Sequence, residues 1–197
     1  MKTIIGVICA VILGAASGAA RPAHHFSWVE LDSLWNKYYA YPSADNAGLL
    51  YQALPESTGE AWAGDTAGSS KTLNTIFEIA QLPILEKQVY SGDSNAVRVA
   101  FKMMTTLTGG DATEWLDQLL GNLIRINPAL FLRELKSHRR YFSRGIDGWF
   151  QDAGLDYVDN VRKQELELGL RSDALRSVRD PDLAAIRDEV IASFGRK

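Results

Sequence analysis

Cysteine is almost absent from this chain: of 197 residues, only Cys9 carries a thiol. No disulfide framework and no thiolate zinc site can be assembled from it. Histidine is scarce as well, with His24, His25 and His138 alone. Neither sign of charge dominates, since 21 Lys and Arg stand against 24 Asp and Glu for a formal net charge of −3. A general nucleic-acid binder needs a basic footprint to neutralise phosphates, so this balance argues against that class of partner. A Gly-rich phosphate loop, a His-Glu-x-x-His pair and a Gly-x-Ser-x-Gly elbow are all missing, which removes the common routes to an enzyme. Long apolar runs are missing too, with one exception at the start.

That exception reads as an address. Met1-Lys2 supplies a short positive start, Ile4 to Leu13 a greasy stretch, and Gly14 to Ala20 a run of small residues. This is the layout of a secretory signal, here residues 1–20, with cleavage expected after Ala20 and the nearby alternative after Gly18. Retention as an anchor would leave a span of only 18 weakly apolar residues, Thr3 to Ala20, short for a bilayer. No stable membrane span is therefore expected after cleavage. Cys9 departs with the signal, which suits an oxidising compartment, and the mature chain has no Asn-x-Ser/Thr acceptor. The expected location is exported, periplasmic or extracellular.

What is present is core-forming material. The chain is 46% hydrophobic and 23% charged, a balance that belongs to folded globular proteins. Residues 21–197 are read as a single domain. Its charge is uneven: 21–93 carries a net −5 and 94–197 a net +1.

The apolar period is helical nearly throughout, so the expected fold is all-α. Ser27 can cap a helix with Trp28, Leu31, Leu34, Trp35 and Tyr38 or Tyr39 on one side, ended by Tyr41-Pro42. A shorter helix is expected over Asn46–Leu54, and Glu60-Ala61-Trp62 within a polar stretch has room for one turn. Ser69 or Ser70 opens Leu73, Ile76 and Phe77, and Pro83 kinks that helix or starts another running to Tyr90. Val97, Ala100, Phe101, Met104 and Leu107 form the next stripe. Asp111 caps a helix with Trp115, Leu116, Leu119, Leu120, Leu123 and Ile124, and Asn127-Pro128 opens one with Phe131, Leu132 and Leu135. Leu155–Leu170 is supported by Asp159/Lys163 and Glu167/Arg171 at the four-residue offset. Asp180-Pro181 starts the last stripe, Leu183, Ile186, Val190, Ile191 and Phe194.

Helix pairs are expected to begin near Ser27, Ser69, Asp111 and Ala153, a spacing of 42 residues each time. Asp93 followed by Val97-Arg98 and Ala100, echoed by Asp182 followed by Ile186-Arg187, resembles the second helix of a HEAT or armadillo unit. The resemblance implies a short α-solenoid, a scaffold that binds partners along a concave face, and does not imply an enzyme. The other architecture compatible with these helices is an irregular helical bundle.

Candidate chemistry is sparse. His24-His25 lie near the expected new terminus, but His24 would be fourth and Pro22 removes an amide that a square-planar metal needs. No metal or cofactor is expected. Lys136, His138, Arg139, Arg140 and Arg144 form the one concentrated basic patch, able to grip an anionic partner or to favour a helix C-terminus. Tyr39, Tyr41 and Trp62 fall outside the apolar stripes and are candidates for partner contact. Glu114 with Asp117, and Glu165 with Glu167, lack the cleft that paired carboxylates need, with a separation of ~5–9.5 Å, for sugar hydrolysis. The reading preferred is an exported interaction or scaffold protein with a protein partner in the envelope. The alternative is an envelope enzyme acting on wall polysaccharide.

Overall fold

The computed structural model describes residues 26–63, 66–77, 81–107, 111–141, 154–155, 158 and 160–194. The residues of the expected signal lie outside this set, as do Ala153, Asp159 and the histidines at 24 and 25. Among the described residues the chain is all-helical and has no strand.

Side-chain caps set most helix starts. Ser27 Oγ accepts from Glu30 N and opens α1 (Trp28–Ala40), and Ser43 opens α2 (Ala44–Ala53) in the same way. Each satisfies one of the amide donors left over in a first turn. The short α3 (Thr58–Ala63) enlarges the turn foreseen at Glu60 to Trp62. Gly68, with φ +82°, precedes α4 (Ser69–Ile76), so the serines start the helix without capping it. Pro83 lies in the first turn of α5 (Leu82–Tyr90), where its missing N–H costs nothing. Gly92 takes a left-handed φ of +89°, its N–H reaching Val89 O while that of Asp93 reaches Gln88 O. That paired closure ends α5 and frees the Asp93 carboxylate to cap α6 (Ser94–Thr106). α7 spans Asp111–Ile126, and Asn127 then caps α8 (Pro128–His138), which runs into a 3-10 turn, Arg139–Tyr141.

Several boundaries differ from expectation. α2 begins at Ala44 rather than Asn46 because Ser43 supplies its cap, and Asp111, expected as a cap, is the first helical residue of α7. The helix expected over Leu155–Leu170 is α9, Val161–Ser177. Its start is set by Asn160, whose side chain accepts from the N–H groups of Arg162 and Lys163. Asp180-Pro181 opens a 3-10 turn, Pro181–Leu183, and only then does α10 (Ala184–Ser193) begin.

The helices pack as neighbours in order. α2, α6, α8 and α10 touch in series, α5, α7 and α9 form a second series, and α1 lies on α2 and α4. Trp28, Leu31, Trp35 and Tyr38 of α1 are buried, as are the α7 and α8 stripes from Leu116 to Leu135. Each such large apolar side chain contributes roughly 1.5–3 kcal/mol by leaving water. The buried indole N–H groups find acceptors, Trp28 at Ala61 O (3.1 Å) and Trp35 at Gln81 Oε1 (2.6 Å). Gly154 marks the tightest approach. Its φ is +69°, its N–H donates to Asp117, and a Cβ there would collide with the backbone of Gln118 in α7.

Candidate functional site

Among the described residues, a cluster of buried polar groups lies where α2, α6 and α8 meet. On α8, Glu134 and His138 are one turn apart on the side that carries Phe131 and Leu135, and all four are buried. The His138 ring stacks on Phe101 of α6, with centroids 5.6 Å apart and planes 14° from parallel, and meets Tyr51 of α2 edge-on. Its Nδ1 lies 2.7 Å from Glu134 O. A carbonyl oxygen only accepts, so Nδ1 carries the hydrogen and the neutral tautomer is thereby set. Burial holds the His138 pKa down to about 4 against the opposing pull of the Glu134 backbone contact, with Arg98, Lys102 and Arg140 adding to the depression.

Lys102 is the second unusual group. It lies on α6 with 1% of its surface exposed. Its ammonium donates to Tyr51 O at 3.2 Å and to Glu56 Oε1 at 2.7 Å, and lies 4.8 Å from the centre of the Tyr51 ring. The other Glu56 oxygen accepts from Arg140 at 3.1 Å, and Glu60 accepts from the Glu56 N–H. Arg98 Nε donates to Glu134 Oε2 at 3.0 Å. Burial, chiefly, also raises the Tyr51 hydroxyl above its ordinary value. The arrangement ties the α2–α3 connection to α6 and to the end of α8 by compensated charges. Its chemistry is that of a clasp: each named ion has an internal counter-ion or acceptor, and the imidazole is neutral.

The expected partner-binding residues divide into four sets. Tyr39, Tyr41 and Trp62 are exposed, Tyr41 most of all at 74%, and the Trp62 ring leans on Trp28 at 5.3 Å. Lys136, Arg139 and Arg140 each already hold an internal acceptor: Lys136 donates to Asp182 O at 2.8 Å, Arg139 to Glu189 at 2.5 Å, and Arg140 to Glu56. These cations fasten the end of α8 and the 3-10 turn that follows it to the 3-10 turn before α10, to α10 itself and to the α2–α3 connection. His138 is not on the surface with them, because the 3.6-residue period turns it inward with Glu134. Arg144 lies outside the described residues.

The carboxylate pairs do not converge on a reacting position. Glu114 and Glu165 are exposed, Asp117 accepts from Gly154 N, and Glu167 is shared by Arg125 and the buried Arg171. Among the described residues no group of three or more His, Cys, Asp or Glu is poised to hold a metal. No helix among them is long and apolar enough to cross a membrane.

Sequence reasoning missed Lys102, Glu56, Arg98 and Glu134 as one cluster. The available signal was positional: Lys102 falls between Val99 and Thr106 on the side of α6 opposite its obvious stripe, a side that is buried as well. Compared with known proteins, the chain matches no protein family, no curated protein and no solved structure.

Proposed function

We propose that this chain is an exported helical interaction or scaffold module that binds a protein partner in the envelope and catalyses no reaction. The observation that carries this reading is the order of helix neighbours, α2–α6–α8–α10 beside α5–α7–α9. Hairpins that contact chiefly the next hairpin are the arrangement of HEAT-like stacks, whose long surfaces serve binding. The export signal read over residues 1–20 supplies the compartment. The three exposed aromatics, Tyr39, Tyr41 and Trp62, supply contact groups of the kind that dominate binding energies. The cations of α8 are secondary contributors, since their internal pairs would have to be exchanged for partner contacts.

The test is affinity capture of the tagged chain from native envelope extract, beside a Tyr39→Ala/Tyr41→Ala double variant and a Trp62→Ala variant. A single saturable protein partner, weakened at least tenfold by one of these variants at unchanged melting temperature, is the expected result. Turnover of wall polysaccharide fragments by the unmodified chain would replace the scaffold reading with the enzymatic one.

A further inference from the structure

Between the end of α9 and α10 lies a groove of about 550 Å³ lined by Arg176, Arg179, Arg187, Asp188, Ile191 and Ala192. Three guanidinium groups there stand against one carboxylate. Arg187 is held in place: its Nε donates to Asp188 at 2.8 Å and one terminal nitrogen donates to Val178 O at 3.0 Å. Its side chain is only 21% exposed. The other terminal nitrogen of Arg187 has no partner among the described residues, and neither has the guanidinium of Arg179. Arg176 has Asp173 at 3.0 Å. The groove thus offers two guanidinium edges with donors to spare, one of them preorganised, beside an apolar wall.

That combination selects its ligand by charge and shape. Guanidinium forks match the oxygens of carboxylates and phosphates. A carboxylate brings one negative charge, whereas a phosphate monoester brings about −1.5 to −2 at neutral pH together with three acceptor oxygens. With Arg176 matched by Asp173 and Arg187 by Asp188, the net excess is one cation. Two guanidinium edges nevertheless keep spare donors, and the three oxygens of a phosphate can accept from both at once. Ile191 and Ala192 would then lie against the organic group of the ester, and the volume falls within the range typical of small-molecule sites, ~300–1,000 Å³. We propose that this groove binds a soluble phosphate monoester, with Arg179 and Arg187 on the phosphate and the organic group on Ile191 and Ala192.

The test is calorimetric titration of the whole chain with phenyl phosphate, repeated on Arg179→Ala, Arg187→Ala and Arg133→Ala variants. Arg133 is an exposed cation on α8 and serves as the control for unspecific charge. Saturable one-to-one binding is expected, weakened about tenfold by either groove variant and unchanged in Arg133→Ala. Phenyl sulfate, with one charge fewer, should bind more weakly than phenyl phosphate. Arg187→Ala removes a contact to Val178 and can disturb the fold, so the decision rests on Arg179→Ala, checked for an unaltered melting curve. Wild-type affinity in Arg179→Ala, equal loss in Arg133→Ala, or no heat at all overturns the proposal. Sedimentation with phosphatidic acid vesicles in the absence of phenyl phosphate binding overturns it too, in favour of a lipid headgroup.

Discussion

Helices α6 and α9 are both long, and they are held in opposite ways. Ten of the 13 residues of α6 are buried, against three of 17 in α9, namely Arg171, Ser172 and Leu175. α6 touches α2, α3, α5, α7, α8 and the 3-10 turn after α8, so little of it beyond Ser94, Asn95 and Arg98 meets solvent. α9 rests on α7, α8 and α10 and leaves Val161, Leu166 and Leu170 exposed. Much of its attachment is polar: Arg171 reaches Glu167 and Asn122, and Arg125 of α7 reaches Glu167. The first helix is kept mainly by surface removed from water, with the Lys102 and Arg98 ion pairs added to it. The second has far less buried surface and leans more on charges that find partners. A helix of the first kind resists solvent conditions and tolerates little change of volume. One of the second kind responds to salt and is open to variation on its outer side.

The sharpest break of this contrast is a pair of truncations. Phe101→Ala in α6 should cost about 3–5 kcal/mol in urea unfolding, from lost burial and the cavity left behind. Leu166→Ala in α9 should change stability by less than about 0.5 kcal/mol. Comparable losses at the two positions would end the distinction.

The ring stacked on Phe101 gives the next effect. The folded-state pKa of His138, about 4, lies below its ordinary 6.5. Between those values the unfolded chain binds the extra proton and the folded one does not. Stability therefore falls as pH drops from about 6.5 towards 4, by up to about 3 kcal/mol once pH is below both. His138→Phe should flatten that part of the stability profile measured by thermal melts across pH. An unchanged slope would assign the acid sensitivity to other groups.

Arg171→Met should cost about 2 kcal/mol, because it strips a buried contact from Asn122 while Glu167 keeps Arg125. The loss should appear as earlier hydrogen exchange in α9 than in α6. The smallest effect belongs to the surface pairs. Arg139→Ala and Arg140→Ala should each cost no more than about 1 kcal/mol, diminishing with added salt in chemical denaturation. A larger, salt-independent loss would make these pairs part of the core.

Much of the contrast was legible beforehand. Ser27 and Asn127 announce their helices through local chemistry, and Trp28, Trp35, Leu120 and Phe131 occupy the stripes that the period requires. Glu167 and Arg171 meet at 3.3 Å, as their offset foretold. The polar cluster was not legible, because Glu56, Arg98 with Lys102, and Arg140 reach it from separate elements and only the Glu134–His138 contact lies within one helix. A helical period reports which side of a helix is apolar. It does not report that a second side is covered by another neighbour, which is why Lys102 went unnoticed. The same blindness to distant partners made Lys136, Arg139 and Arg140 read as a patch offered to others, although Asp182, Glu189 and Glu56 already engage them.

The enclosed ammonium of Lys102 also makes the chain a recorder of its own opening. Trypsin needs a lysine on an extended, accessible backbone, and Lys102 offers neither while α6 keeps its neighbours. Cleavage after Lys71, whose side chain is 77% exposed, needs only local opening of α4. A nick after Lys102 dates the moment when the centre itself has come apart.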